Sequence, residues 1–255
     1  MTITCKKSKL VLYDYSRHIW ESHGLKLFKI KFANHESEVS HLLKYLSKQE
    51  KERANRYHFT KDKNRFTICR ALLKILLAKT TNLDVSKVSI EKDENKKPYL
   101  SSHPHLFFNV AHTEGCGLIA ISNKPIGVDI EKINPSFDYS KILEQVFTGI
   151  EIAELMNSEF PLRAFYHQWT RKEAVVKAMG IGITDFIKEV PCLDGIHESS
   201  FGSFNSIKSM EVSTFEFDGN YIGALACSNG ISHSEGVPCF ELHGNTTMLN
   251  ENLNT

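Results

Sequence analysis

The chain has 255 residues, with 31 Lys and Arg against 30 Asp and Glu; a formal charge of +1 excludes a global attraction to nucleic acid or an anionic membrane, so any anion site is local. Hydrophobic residues at 41% and charged residues at 24% match a globular protein with a substantial core, as one large domain or two small ones. No apolar run in the first thirty residues suits a signal-peptide core and nowhere do eighteen apolar residues run together, which predicts a cytoplasmic chain without a membrane span.

The segment from Leu42 to Lys79 contains neither Pro nor Gly and reads as two helices with a break at Phe59 to Asp62. In the second, Phe66, Ile68, Cys69, Leu72, Leu73, Leu76 and Leu77 form a broad apolar face. Thr67, Arg70 and Lys74 recur as a polar stripe, which predicts one core side and one basic side. After a turn around Asn82, VSIEK and KPYLS read as strands about the turn DENKK, and LFFNVAH and GLIAIS as a buried strand pair. IGVDIEKI is a strand that sets Val128 and Ile130 on one face and Asp129 and Glu131 on the other. YSKILEQVF and EIAELMNS read as helical, and a long helix from Leu162 to Met179 stops at Gly180. SIKSMEVSTFEFDGNYIGALACS alternates as strands about the turn DGN, and residues 244–255 form a polar tail predicted to be disordered. Cys5, Cys69, Cys116, Cys192, Cys227 and Cys239 contain no Cys-x-x-Cys pair and read as reduced structural thiols.

Asp129 and Glu131, at i and i+2, are close enough to share a hard cation such as Mg²⁺ and repel each other without one; the same spacing also describes a strand that turns polar residues to water. Trp169, Glu173 and Lys177 share a helix face at i, i+4 and i+8, so Glu173 either completes a metal site or pairs with Lys177 at the surface. Lys172 lies one residue off that face and approaches an anion only from the flank. His112 ends an apolar strand and opens a Gly-containing turn, a position suited to a phosphate or to a half-buried structural histidine. Arg53, Lys61, Arg65, Lys96 and Lys97 are candidate phosphate contacts in stretches that otherwise read as solvated faces. His103 and His105 have His-x-His spacing, but Pro104 between them and the absence of a third ligand mark a loop. Aromatic residues are not interleaved with the basic ones as stacking platforms, so no nucleic-acid partner is predicted.

FNVAHTEG, IGVDIEKI and WTRKEAVVKAMGIGI, in this order and spacing, resemble the three signature segments of the 4′-phosphopantetheinyl transferase superfamily, specifically its larger monomeric type typified by the activator of surfactin synthetase. RYHFTKDKNRFTICRALLKILLA and KKPYL extend the resemblance from about Arg53 to about Ile183. The resemblance implies an α+β fold of two pseudo-twofold-related subdomains, each a small, mainly antiparallel sheet packed on a long helix. Their bounds are residues 1–122 and residues 123–243, the second carrying the metal site, with the tail of 244–255 beyond. It implies transfer of the phosphopantetheine arm of coenzyme A to a serine of an acyl or peptidyl carrier protein by a monomeric enzyme, with release of adenosine 3′,5′-bisphosphate. By motif, Asp129, Glu131 and Glu173 would hold Mg²⁺, with Glu173 the favoured general base and Glu131 its rival. His112 would contact the 3′-phosphate, and Lys177, with Lys172, the pyrophosphate. Arg53, Lys61 and Lys97 would serve the nucleotide end, and Glu151 would lie near the site. Ala111 stands where family members often have serine, so only its backbone remains for contact. The carrier's helix would dock beside Ile181, Ile183 and Phe186. A non-catalytic coenzyme A or nucleotide-binding module and a metal-dependent nucleotide hydrolase are the alternative readings.

Overall fold

The computed structural model describes residues 1–14, 24–181, 185–199, 207–228 and 236–244. The chain opens with three strands, β1 (Thr2–Lys7), β2 (Leu10–Asp14) and β3 (Leu25–Lys31). It continues through α1 (Val39–Leu42) and α2 (Lys48–Asn55) to the long α3 (Thr60–Thr81). A small hairpin of β4 (Ile90–Lys92) and β5 (Pro98–Leu100) precedes β6 (Phe107–His112), β7 (Cys116–Ser122) and β8 (Ile126–Lys132). Then come α4 (Leu143–Val146), α5 (Gly149–Met156) and α6 (Pro161–Met179), followed by β9 (Gly195–Glu198), β10 (Ser209–Phe217), β11 (Tyr221–Ser228) and β12 (Val237–Leu242). Among the described residues no helix is long and apolar enough to cross a membrane.

Local chemistry sets the helix ends. Ser47 and Glu50 form a capping box at the start of α2, with the Ser47 N–H donating to Glu50 Oε2 at 2.8 Å. Asn82, with φ of 54°, closes α3 in the left-handed region. Pro161 begins α6, and Gly180, with φ of 72°, ends it where the sequence predicts. The break between the first two long helical stretches falls at 56–59, slightly before its expected place.

Two five-stranded sheets stack face to face, each with one long helix on its outer side. The first runs β2-β12-β3-β7-β6 and the second β8-β11-β10-β1-β9. α3 packs Leu72 and Leu76 against Phe28, Ile30, Ile119 and Phe240 of the first sheet. α6 packs Val175 and Ala178 against Val212, Ile222 and Ala224 of the second. Between the sheets Leu27, Leu118, Val128, Ile130 and Leu225 form a third apolar core. The strand alternation of β8 therefore has a definite meaning: Val128 and Ile130 face the other sheet, and Asp129 and Glu131 face α6. At the open edges of β6 and β8 the two sheets meet, where Asn109 Oδ1 accepts the Val128 N–H at 2.9 Å.

The expected division between residues 1–122 and 123–243 is crossed at both ends of the chain. β1 lies parallel to β10 in the second sheet, and β12 lies parallel to β2 and β3 in the first. Parallel pairing requires a long crossover, so local sequence pattern does not disclose the partner of a terminal strand. A repeat that is not visible in the residues themselves is plain in the connectivity. β3, α3, β6 and β7 assemble in the sheet order β3-β7-β6, and β8, α6, β10 and β11 in the order β8-β11-β10. The polar stripe of α3 also differs from expectation, because α2 covers it. Thr67 and Lys74 are buried, and Glu50 of α2 pairs with Arg70 at 3.6 Å and with Lys74 at 3.5 Å. Of the predicted tail, Gly244 alone lies within the described residues.

α6 lies directly on β8 at Gly127. A Cβ there would sit 2.1 Å from Ala174 O and 2.3 Å from Ala178 N, backbone atoms that cannot turn aside. Gly127→Ala is therefore expected to lift the helix and cost about 1 to 3 kcal/mol, the usual range for overpacking. Thermal denaturation should show a fall in Tm of several degrees; an unchanged Tm would mean that the two elements separate freely.

Candidate active site

The contact at Gly127 brings the fourth and last turns of α6 alongside the outer, helix-side face of β8. Lys177 Nζ donates to Asp129 Oδ1 at 2.5 Å and stands 4.0 Å from Glu173 Oε2. Asp129 and Glu173 are only 4% and 5% exposed, and Asp129 Oδ2 and Glu173 Oε1 are buried with no hydrogen-bond partner. Glu131, one strand position pair further along, is half-buried and takes a hydrogen bond from Trp169. The water-facing reading of Asp129 is thus excluded, and the Glu173–Lys177 pair is present but with Glu173 buried and not at the surface.

The electrostatics follow from this crowding. Burial raises the Asp129 pKa above the ordinary carboxylate value, against the pull of Lys177. Burial, reinforced by the Asp129 charge, lifts Glu131 from 4.5 to about 7, and the Trp169 hydrogen bond opposes the rise. Glu173 rises likewise from 4.5 to about 7, through burial that outweighs the attraction of Lys177. Three carboxylates on one wall, two with orphaned oxygens, form an all-oxygen donor set of the kind a hard divalent cation takes. Among the described residues no group of three or more His, Cys, Asp or Glu side chains stands in ready-made metal geometry. The Lys177 ammonium instead occupies the space between Asp129 and Glu173.

A separate cleft of about 260 Å³ lies beside α2 and α3, lined by His112, Arg53, Tyr57, Phe66, Arg70, Lys92 and Lys96 among others; like the cavities described below it contains none of Asp129, Glu131, Glu173 or Lys177. His112 stands at the end of β6 between the two regions. Its pKa is lowered by loss of solvation, by Arg65 and, more weakly, by Lys177. The turn after His112 is fastened to the second sheet: Tyr221 Oη donates to Glu114 O at 3.0 Å, and Lys132 Nζ to Glu114 Oε1 at 3.0 Å. Gly115 is required there, since its φ is +79° and a Cβ would lie 2.7 Å from Tyr221 Oη. Two larger cavities, of 430 and 520 Å³, lie around His167 and Glu216 on another face of α6 and contain none of Asp129, Glu131, Glu173 or Lys177.

The structure thus brings together Asp129, Glu131, Glu173 and Lys177, with His112 near enough to feel the Lys177 charge, and sets Arg53 with His112 in the basic cleft. It does not bring Lys172 to them. That side chain is wholly buried on another face of α6, where Nζ donates to Val190 O at 2.5 Å and pairs with Glu151 Oε2 at 3.0 Å. Glu151 is correspondingly no part of the cleft. Its carboxylate caps α5 through the Thr148 N–H, and Oε1 accepts from the Cys192 thiol at 3.1 Å. Lys61 is exposed beside Phe59 and does not line the cleft. Lys97 serves the α6 terminus: Nζ donates to Ala178 O at 2.6 Å, and burial lowers its pKa to about 8. Arg70 and Lys92 are cleft residues that sequence reasoning does not select, because Arg70 reads as part of a solvent-facing stripe. All six cysteines are unpaired and buried.

Between pH 4.5 and about 7 the folded chain retains protons on Glu131 and Glu173 that the unfolded chain has lost, so stability falls as pH rises through that window. The loss is on the order of 1 to 3 kcal/mol. Glu173→Gln should flatten the pH profile of Tm in metal-free buffer relative to the parent; parallel profiles would show that Glu173 titrates normally.

Comparison with known proteins points the same way as this geometry. The profile of the family described as "4'-phosphopantetheinyl transferase, N-terminal" matches residues 31–124, and that of the "4'-phosphopantetheinyl transferase superfamily" matches residues 125–226. The chain is 30% identical over 185 residues to 4'-phosphopantetheinyl transferase HetI of Nostoc sp., covering 70% of this chain and 74% of that protein. It is 30% identical over 150 residues to a 4'-phosphopantetheinyl transferase of Bacillus subtilis, covering 58% of this chain and 66% of the relative. It is 26% identical over 151 residues to the Bacillus subtilis 4'-phosphopantetheinyl transferase Sfp, with the same coverages of 58% and 66%. The chain therefore belongs to the 4′-phosphopantetheinyl transferase superfamily, of the Sfp-like type, and is an enzyme of the transferase class.

Proposed function

We propose that this chain transfers the 4′-phosphopantetheine arm of coenzyme A to a serine of an apo acyl or peptidyl carrier protein and releases adenosine 3′,5′-bisphosphate. The observation that carries the reading is that His112 links two chemically distinct regions: it lines the basic cleft, and it feels the charge of Lys177, which stands among the carboxylates. Coenzyme A has a matching asymmetry, with a reactive pyrophosphate and a separate phosphomonoester on its nucleotide. All of the residues invoked lie on one chain, which suits a monomer.

Asp129, Glu131 and Glu173 would hold Mg²⁺, which when bound supplies neutralisation of pyrophosphate charge. Lys177 would then turn from Asp129 to the phosphate oxygens, where its cation opposes the charge that develops on the leaving group. The carrier serine's hydroxyl attacks the β-phosphorus as its proton passes to a carboxylate. The bond from that phosphorus to the bridging oxygen breaks, and the bridging oxygen departs with adenosine 3′,5′-bisphosphate. Glu173 is the favoured base, because one of its buried oxygens has no partner and is free to take the proton. Glu131, its rival, is engaged by Trp169.

Phe186, 48% exposed beyond α6, together with the half-buried Ile181, offers an apolar surface to the carrier's helix. Ile183, the third residue expected there, lies outside the described residues. Phe186→Ala should raise the apparent KM for the carrier several-fold, by about 1 to 2 kcal/mol of lost apolar contact. An unaltered KM would place the carrier elsewhere.

Intact-protein mass spectrometry of apo acyl and peptidyl carrier proteins, incubated with the chain, coenzyme A and Mg²⁺, tests the reaction. A gain of about 340 Da, the covalent mass of one phosphopantetheine group, is expected and should vanish with Asp129→Ala. Glu173→Gln should slow transfer at least about 100-fold while coenzyme A binding persists. A chain that binds coenzyme A yet modifies neither carrier would favour the binding-module reading.

A further inference from the structure

The chain passes from the second sheet to the first between β1 and β2, through Ser8 and Lys9 alone. Both sheets pin this crossover. The Ser8 N–H donates to Thr214 O of β10 at 2.8 Å, and Lys9 O accepts the Val237 N–H of β12 at 2.8 Å. Beside it lies the cavity of about 520 Å³, bounded by β2, the end of β10, Lys29 of β3 and His167 of α6. That volume is in the ordinary range of small-molecule sites, about 300 to 1,000 Å³.

The lining is apolar on its inner side. Phe215 belongs to the core between the sheets, and Leu10 and Phe217 pack against that core. The Phe217 ring is held in place by stacking on Tyr221, with centres 5.4 Å apart. Leu12 adds an aliphatic side chain that is 55% exposed, an uncommon position for a leucine without a partner.

The charges of the wall do not cancel. Each carboxylate that lines it is already held twice: Asp218 by Lys29 at 3.0 Å and Lys31 at 3.5 Å, and Glu216 by Arg163 and by His167, the latter at 2.6 Å. Lys29, almost wholly buried, is met in turn by Asp218 and by Glu241 at 3.6 Å. Lys7 and Lys9 have no such counter-charge, since among the described residues neither ammonium makes an ion pair or a hydrogen bond. Two unpaired cations beside an apolar lining suit an anionic head on a hydrocarbon chain. A small hydrophilic anion would leave Leu10, Leu12 and Phe217 unmatched, and a neutral hydrocarbon would leave the lysines unmatched.

We propose that this cavity is a second binding site, for a straight-chain carboxylate, with the carboxylate at Lys7 and Lys9 and the chain on Leu10, Leu12 and Phe217. None of His112, Asp129, Glu131, Glu173 or Lys177 lines it, so its occupant leaves the candidate active site open. The site does not depend on coenzyme A being the donor.

Isothermal titration of the full chain with hexanoate, octanoate and decanoate, each below its micellar concentration, tests this. Affinity should rise about 3- to 4-fold for each added CH₂, the worth of one buried methylene. Octylamine, with the same chain and the opposite charge, should bind at least about 10-fold more weakly than octanoate. The double variant Lys7→Gln, Lys9→Gln should weaken octanoate about 3- to 10-fold with Tm unchanged, because both side chains are exposed. Leu12→Glu should weaken it at least as much. Saturating coenzyme A should leave octanoate binding as it is. Absence of binding by all three carboxylates, equal affinity for octylamine, an unchanged affinity in the double variant, or displacement by coenzyme A would each overturn the inference.

Discussion

The backbone of α6 rests on the backbone of β8 at Gly127, and the site depends on that closeness. With a side chain in the way, Glu173 and Lys177 would be displaced from Asp129 by more than the 2.5 Å contact between Lys177 and Asp129 tolerates. The same contact explains why the carboxylates are buried. β8 turns Asp129 and Glu131 to the helix side because Val128 and Ile130 are needed in the core between the sheets. The strand's period of two then leaves the acidic residues no other place. Burying them without a full complement of partners costs stability. Their raised pKa values express that cost, and the orphaned oxygens of Asp129 and Glu173 locate it.

Charge is sorted along the cleft in a way that net charge conceals. A chain with a formal charge of +1 gathers three carboxylates around Lys177 and, separately, four cations in a cleft that His112 also lines. Each end is unfavourable alone: carboxylates repel carboxylates, and cations repel cations. Lys177 partly relieves the acidic end and Glu50 the basic end. The fastening of the His112 turn to β11 by Tyr221, and the hydrogen bond from the Val128 N–H to Asn109, tie β6 and His112 to the sheet that carries Asp129 and Glu131.

Much of this is legible in the sequence because it is local. The Asp-x-Glu strand and the four-residue spacing of Trp169, Glu173 and Lys177 fix which side chains share a face, whatever the rest of the chain does. Non-local arrangement is not legible. Nothing near Thr2 or Val237 announces that β1 and β12 exchange sheets, and the stripe of Thr67, Arg70 and Lys74 reads as solvent-facing unless α2 is known to cover it. Lys172 shows the limit of the helical argument. One residue from Glu173 means a turn of roughly 100°, and on a helix buried on more than one side that turn leads to another interior rather than to the cleft's flank.

That other interior fixes the segment beyond the C-terminus of α6. Lys172 is sealed from water and donates to the carbonyls of Ile187, Lys188 and Val190 while its charge is met by Glu151. A buried ion pair is a weak source of stability, but breaking one partner strands the other, so the arrangement resists small displacements. Three carbonyls of one short segment are thereby tied to the helix that carries Glu173. Phe186 immediately precedes that segment and projects outward. On the function proposed above, the apolar surface at Phe186 and the carboxylate of Glu173 are therefore coupled through the contacts of Lys172, so the orientation of a carrier on the outside would be felt at the chemistry inside.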